Sequence, residues 1–174
     1  MAYIISVDQS TQSTKALLFK EDGTLVASSA LSHAQIYPQE GWVEHDPEVL
    51  YANTVSVIRQ VVEKADCKNG SCSLALTNQR ETVIVWNRLT GKPVANAVVW
   101  QCMRGKEICD NLKVKGHGAL VKERTGLLID PYFSASGVKW ILDHVDGARE
   151  AAERGDLLMG TVESWLIWKL TGGK

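Results

Sequence analysis

The apolar positions at the start of the chain fall into three short runs. Tyr3 to Val7 is one, ending on Asp8, and it predicts a buried strand. Lys15 to Phe19 (KALLF) is a second. Leu25 to Leu31 is a third, reached through the Asp-Gly turn Glu21-Asp22-Gly23-Thr24. Three hairpin-linked strands are therefore expected first. Pro38 to Pro47 (PQEGWVEHDP) is rich in turn residues, with Asp46 set to cap a helix and Pro47 at its first position. From Glu48 to Lys64, Val49, Leu50, Ala52, Val55, Ile58, Val61 and Val62 recur at i, i+3, i+4 spacing, the mark of an amphipathic helix.

Beyond it the pattern alternates. Ser73 to Thr77 and Thr82 to Trp86 read as strands, and Thr90-Gly91 turns into a further strand over Ala95 to Trp100. Helices are predicted over Met103 to Lys115, Ala119 to Arg124, Ser134 to His144 and Ala148 to Arg154, with a short strand at Leu157 to Met159. Thr161 or Ser164 caps a last helix, whose apolar face carries Trp165, Leu166, Ile167, Trp168 and Leu170. Helices and strands alternating after a three-strand meander indicate an α/β sandwich, read as one domain over 1–174. Thr171 to Lys174 reads as a helix stop and loop rather than a natural C-terminus, so a truncated chain is expected.

Composition narrows the class. Of 174 residues, 45% are apolar and 22% charged, which excludes wholesale disorder, collagen and coiled coil. Nineteen basic and twenty acidic side chains leave a net charge of −1, and the pI is about 6.4. That balance gives no electrostatic reason to expect nucleic acid or an anionic membrane as partner. Mean hydropathy is −0.10, and no apolar run approaches the ~20 residues of a membrane span. Asp8 interrupts the first apolar run and no basic segment precedes it, so a secretory signal is not expected and the location expected is cytoplasmic. Cysteines at 67, 72, 102 and 109 lack the paired spacing of a zinc site and read as reduced thiols. Asn69-Gly70-Ser71 reads as a turn rather than a glycosylation site. The histidines at 33, 45, 117 and 144 form no cluster, and His45 is expected to pack or cap. The charged stretches 107–115 and 149–156 read as solvated helix faces.

Two segments carry candidate chemistry. Asp8-Gln9-Ser10-Thr11-Gln12-Ser13-Thr14-Lys15 joins the first two strands. It combines a carboxylate for a hydrated Mg²⁺ (Asp8), hydroxyl donors for phosphate (Thr11, Ser13, Thr14) and a cation (Lys15). The same residues also suit an ordinary polar hairpin turn. Arg80-Glu81 follows the predicted strand at 73–77 and places donors beside acceptors, which suits a vicinal diol, because each hydroxyl both donates and accepts. Trp100 and Tyr132 can wall such a pocket, and Tyr132 adds a phenolic hydroxyl. The alternative is a weak surface ion pair beside core aromatics. Of the six tryptophans, only Trp100 is given a functional part.

The first of these segments resembles the phosphate loop of the actin, hexokinase and sugar-kinase superfamily. Leu76-Thr77-Asn78-Gln79-Arg80-Glu81-Thr82 with Val99-Trp100-Gln101, and Ile129-Asp130-Pro131-Tyr132-Phe133-Ser134 with Val138-Lys139-Trp140-Ile141-Leu142-Asp143, narrow the likeness to the FGGY carbohydrate kinases. Pro38-Gln39 with Gly41 to Pro47, and Gly160-Thr161-Val162 with Trp165 to Trp168, also resemble that family, so the likeness runs from about residue 3 to 172. It implies a ribonuclease H-like, actin-like ATPase fold and an N-terminal substrate- and phosphate-binding domain, with the nucleotide domain and the general base outside the chain. It implies ATP and Mg as cofactors, Asp8 at the metal through water, and phosphate contacts from Ser10, Thr11, Gln12, Ser13, Thr14 and Lys15. It implies polyol contacts from Arg80, Glu81, Trp100 and Tyr132, with glycerol the expected substrate. A kinase for another polyol or a ketose, of erythritol or xylulose type, and a non-enzymatic sugar-sensing domain are the alternatives. No nucleic-acid or membrane partner is expected, and a homo-oligomeric parent is left open. The phosphate turn departs from the family pattern at Ser10, Gln12 and Lys15, where Gly, Thr and Arg are usual, and the later signature departs at Ser136 and Gly137, where Thr and Lys are usual.

Overall fold

The structure, a computed structural model, describes residues 2–64 and 71–173. Cys67 and the turn expected at 69–70 lie outside the described residues. The chain packs as two compact units: residues 1–35 with 46–79, and 36–45 with 80–174.

In the first unit, β1 (Ala2–Gln9), β2 (Ser13–Lys20) and β3 (Leu25–Ser32) form the expected antiparallel meander. The turn between β2 and β3 is set by Gly23 at φ +85° and by Asp22 Oδ1, which accepts from the Thr24 amide at 2.9 Å. Strand β5 (Ser71–Asn78) adds parallel to β1, giving the sheet order β3-β2-β1-β5. Period two puts Ile5, Val7, Ala16, Leu18 and Ala27 on one face, where they pack against Val57 and Val61 of α1 (Pro47–Lys64). Asp46 caps α1 as expected, its Oδ1 accepting from the Glu48 amide at 2.8 Å.

The second unit has its own antiparallel sheet, ordered β4-β7-β6-β8. Its members are β4 (Glu44–His45), β6 (Val83–Asn87), β7 (Ala97–Val98) and β8 (Leu157–Thr161). The helices are α2 (Lys106–Val114), α3 (Gly118–Thr125), α4 (Ser134–His144), α5 (Ala148–Glu153) and α6 (Val162–Leu170). Strand β6 is buried on both faces, which explains its uninterrupted apolar run. Val83 and Val85 pack with Val98, Cys102 and Ile141 of α4. Trp86 meets Trp165 and Trp168 of α6 at centroid distances of 5.3 and 5.9 Å.

Four expectations need correction here. The strand expected over Ala95 to Trp100 is only two residues long, because the chain turns at Val99. The Val99 amide donates to Val43 O, and the Trp100 amide to Thr82 Oγ1. Helix α2 starts at Lys106 rather than Met103, because the Met103 amide is drawn to Gly41 O and Arg104 to Glu44. The turn-rich segment before α1 contains β4, whose Glu44 and His45 are both buried. Thr161 sits at the N-cap of α6 with extended backbone but makes no side-chain cap bond.

Cys102 and Cys109 are buried free thiols, and Cys72 is an exposed one. Among the described residues, no helix is long and apolar enough to cross a membrane.

Candidate functional site

In the first unit, the polar turn closes the β1–β2 hairpin, with the Ser10 amide donating to Ser13 O at 2.9 Å. Asp8 pairs opposite Lys15 on β2 and Thr77 on β5, and all three are exposed. Directly opposed residues share a sheet face, so Asp8 and Lys15 are neighbours on the same open surface. Ser10, Thr11, Gln12 and Ser13 form the partly exposed bend beside them. Thr14 is not with them. It pairs with Gln9 on the opposite, buried face and is fully buried. Among the described residues no hydrogen-bond partner reaches its Oγ1. Strand parity alone turns it away from Ser13 and Lys15, so of the expected phosphate donors it is the one that faces inward.

A buried amide network supports the turn from behind, and sequence reasoning missed it. Gln9 Nε2 donates to Ser10 O at 2.8 Å, and Gln79 Nε2 donates to Gln9 Oε1 at 3.1 Å and to Ser10 O at 3.3 Å. The Gln79 amide also donates to Gln9 O at 2.7 Å. Gln9 Nε2 lies 3.4 Å from His33 Nε2, and the His33 amide donates to Gln12 O. Burial pushes the His33 imidazole below its usual value, which favours the neutral ring that can accept from an amide.

In the second unit, Glu81, Trp100 and Tyr132 converge, each from a bend where a regular element ends. Glu81 precedes β6, Trp100 follows β7, and Tyr132 precedes α4. The Trp100 and Tyr132 rings lie edge to face at 5.8 Å. All three line one small pocket with Phe133, Ser134 and Gly137. Its volume is about 10 Å³, enough for roughly one water, so these residues form a wall rather than an enclosure. Arg80 lies on the exposed turn next to Glu81 and is not among the lining residues. A larger cavity of about 500 Å³ lies between α2, α3, the segment 127–130 and α4. Its walls are mostly aliphatic (Ile108, Leu112, Val121, Leu127), which suits hydroxyl groups poorly, although Glu81 touches it too.

Glu81 has φ +66°, which makes it the one non-glycine among the described residues with left-handed backbone. Its carboxylate sits at the N-terminus of α4, where Oε2 accepts from the Ser134 amide at 3.0 Å and from Ser134 Oγ at 2.8 Å. In the sequence Ser134 stood at a helix start and at the end of the Ile129 to Ser134 motif, with no role of its own. Its bond to a residue 53 positions away left no local signal.

Comparison with known proteins places this geometry. The signature described as "FGGY family of carbohydrate kinases, N-terminal domain" matches residues 3–174. Glycerol kinase 1 of Thermotoga maritima is 51% identical over 173 residues, a match covering 99% of this chain and 35% of that protein. The glycerol kinase of Pseudomonas putida is 52% identical over 173 residues, again 99% of this chain and 35% of that one. The crystal structure of Plasmodium falciparum glycerol kinase with ADP superposes with a TM-score of 0.94 at 35% identity, covering all of this chain and 35% of that one. Gluconate kinase from Lactobacillus acidophilus, at 20% identity, has a TM-score of 0.84 over 96% of this chain and 32% of its own, a likeness of fold alone. The chain therefore spans about 35% of the length of the curated relatives it matches. The fold shared with these structures is the expected ribonuclease H-like, actin-like ATPase fold. On the match over 3–174, the chain belongs to the FGGY family of carbohydrate kinases, in its N-terminal domain.

Proposed function

We propose that the chain is the N-terminal, substrate- and phosphate-binding part of an ATP-dependent polyol kinase, with glycerol the favoured substrate. The convergence of Glu81, Trp100 and Tyr132 on one pocket wall carries the reading, and the 51% identity to glycerol kinases supports the choice of polyol. The aromatic rings cover the carbon chain of the substrate, while Glu81 accepts from a hydroxyl and Arg80 donates to one.

The turn on the first unit fits a metal-bound triphosphate. Asp8 and Lys15 share an exposed face beside the bend of Ser10, Thr11, Gln12 and Ser13. One exposed carboxylate suits Mg²⁺ that keeps most of its waters. Bound Mg²⁺ supplies charge neutralisation on the phosphates. Lys15 adds a point charge, and the bend contributes hydroxyl and amide donors. Thr14 supports the hairpin from inside. Phosphoryl transfer is chiefly positioning and electrostatics, so these residues orient and neutralise. The base for the attacking hydroxyl and the adenine site are proposed to lie outside residues 1–174.

The test is Arg80→Ala in the full-length kinase, assayed by coupled ADP release. Loss of a charged hydrogen bond costs about 1.5–3 kcal/mol, so the polyol KM is expected to rise roughly ten- to a hundredfold with the ATP KM unchanged. Loss of ATP affinity with polyol affinity intact would remove Arg80 from the substrate site. The 174-residue chain alone is expected to show no turnover, and clear turnover would refute the division of labour proposed.

A further inference from the structure

The reading of Glu81 as a polyol ligand leaves open what aims its carboxylate, and the structure supplies an answer. Glu81 is held at two levels. Its backbone occupies the left-handed region at φ +66°, which an L-residue with a long side chain enters only when its surroundings enforce it. Its side chain turns back to the first turn of α4, an 11-residue helix whose N-cap residue, Phe133, offers no side-chain cap. The free amide there belongs to Ser134, and a helix N-terminus attracts a carboxylate.

Three close polar contacts result, all with Ser134, and its single hydroxyl proton is shared between two acceptors. Its amide donates to Glu81 Oε2 at 3.0 Å. Its hydroxyl lies 2.8 Å from Oε2 and 3.0 Å from the Glu81 carbonyl oxygen, both of them acceptors. One serine thus grips the side chain and the backbone of the same glutamate. Among the described residues no donor reaches the other carboxylate oxygen, Oε1. Tyr132 and Phe133, just before Ser134, line the same pocket, so the serine also ties the aromatic wall to the carboxylate.

We infer that Ser134 is the positioning residue of the polyol site. By occupying Oε2 and holding the left-handed backbone of Glu81, it leaves Oε1 as the acceptor for one substrate hydroxyl. The selectivity this confers is geometric. The glutamate offers one aimed oxygen rather than a rotating pair, so a hydroxyl at the matching position is recognised and a deoxy analogue is not. The inference rests on the polyol-kinase reading of Glu81 given above.

The experiment uses the full-length kinase with Ser134→Ala, Ser134→Thr, Glu81→Gln and the Ser134→Ala/Glu81→Gln double variant. Polyol KM, ATP KM, kcat and the thermal midpoint are measured for each. Ser134→Ala is expected to raise the polyol KM roughly tenfold, equivalent to about 1.4 kcal/mol, with the ATP KM within about twofold of wild type. Ser134→Thr keeps the hydroxyl and is expected to restore most of that loss. In the Glu81→Gln background, Ser134→Ala is expected to add little, because the group it positions has already changed. Should the Ala variant not fold, Ser134→Cys makes the same comparison with a similar-sized, weaker donor.

Fully multiplicative effects in the double variant would overturn the inference. So would a Ser134→Ala enzyme whose melting point falls while its polyol KM stays put, since that is purely structural behaviour. Those results leave Glu81→Gln impaired. A Glu81→Gln enzyme with normal polyol KM would instead overturn the reading of Glu81 itself, and the positioning role with it.

Discussion

The buried pair Arg104–Glu44 offers a demanding test of how the second unit is held together. Arg104 Nη2 lies 2.5 Å from Glu44 Oε1, and the two side chains are only 2% and 12% exposed. Glu44 Oε2 accepts from Asn96 Nδ2 at 2.7 Å, so both carboxylate oxygens are engaged. The guanidinium lies between two indoles, 4.2 Å from the Trp42 ring and 4.7 Å from that of Trp140. Removing one partner of a buried pair strands the other charge, at a typical cost of 3–5 kcal/mol. Against a total stability of about 5–15 kcal/mol, Arg104→Ala is therefore a severe change. Arg104→Lys keeps the charge but loses the planar stacking, and should cost less. All six tryptophans lie in the second unit, so their fluorescence in a urea titration follows that unit selectively. With a urea slope of about 2 kcal/mol/M, Arg104→Ala should lower the midpoint by roughly 2 M. The double change Arg104→Met with Glu44→Leu should lose less than Arg104→Ala alone, because no charge is left buried. A midpoint shift under about 0.5 M for Arg104→Ala would refute the view that this buried pair helps hold the second unit together.

Other expectations follow from single residues. Burial lowers the His33 pKa below its usual 6.5, so the unfolded chain takes up that proton first as pH falls. The stability of the first unit is then full above about pH 6.5 and declines through the window down to the lowered folded value. Urea titrations by far-UV circular dichroism at pH 7.5 and about 5.5 should show a smaller difference for His33→Gln, and an unchanged one would dismiss His33 as the source. Gly91→Ala should cost about 2 kcal/mol or more, since φ is +68° and a Cβ would sit 2.9 Å from the Trp168 ring. Gly23→Ala, with φ +85° but open space around it, should cost only about 1 kcal/mol, and thermal melts giving the reverse order would contradict the packing. Asp8→Asn in the full-length kinase should reduce kcat by orders of magnitude while polyol binding without ATP persists. A near-normal kcat would leave Asp8 as no more than a strand end.

What was legible in the sequence depended on how far the deciding interactions reach. Strands β1 to β3 and helix α1 were readable because one repeating face decides them: Ile5, Val7, Ala16 and Leu18 pack against Val57 and Val61 of α1. The face of α1 was read less well, since its buried stripe is Leu50, Thr54, Val57 and Val61, while Val49 and Ala52, expected on it, are exposed. Strand β4 and the late start of α2 were not, because Glu44 and Arg104 choose each other across 60 positions and pull the intervening local patterns out of step. The same parity rule that revealed β2 also turns Thr14 inward, a consequence that counting hydroxyls in the turn overlooks. The site follows the same logic. Glu81, Trp100 and Tyr132 stand where regular elements stop, so backbone there is set by distant partners rather than by periodicity: the Ser134 hydroxyl donates to the Glu81 carbonyl, and the Trp100 amide donates to Thr82 Oγ1. Residue types at such ends could be guessed as polyol-binding from their chemistry. Their aim could not, because it depends on hydrogen bonds between segments that the sequence keeps apart.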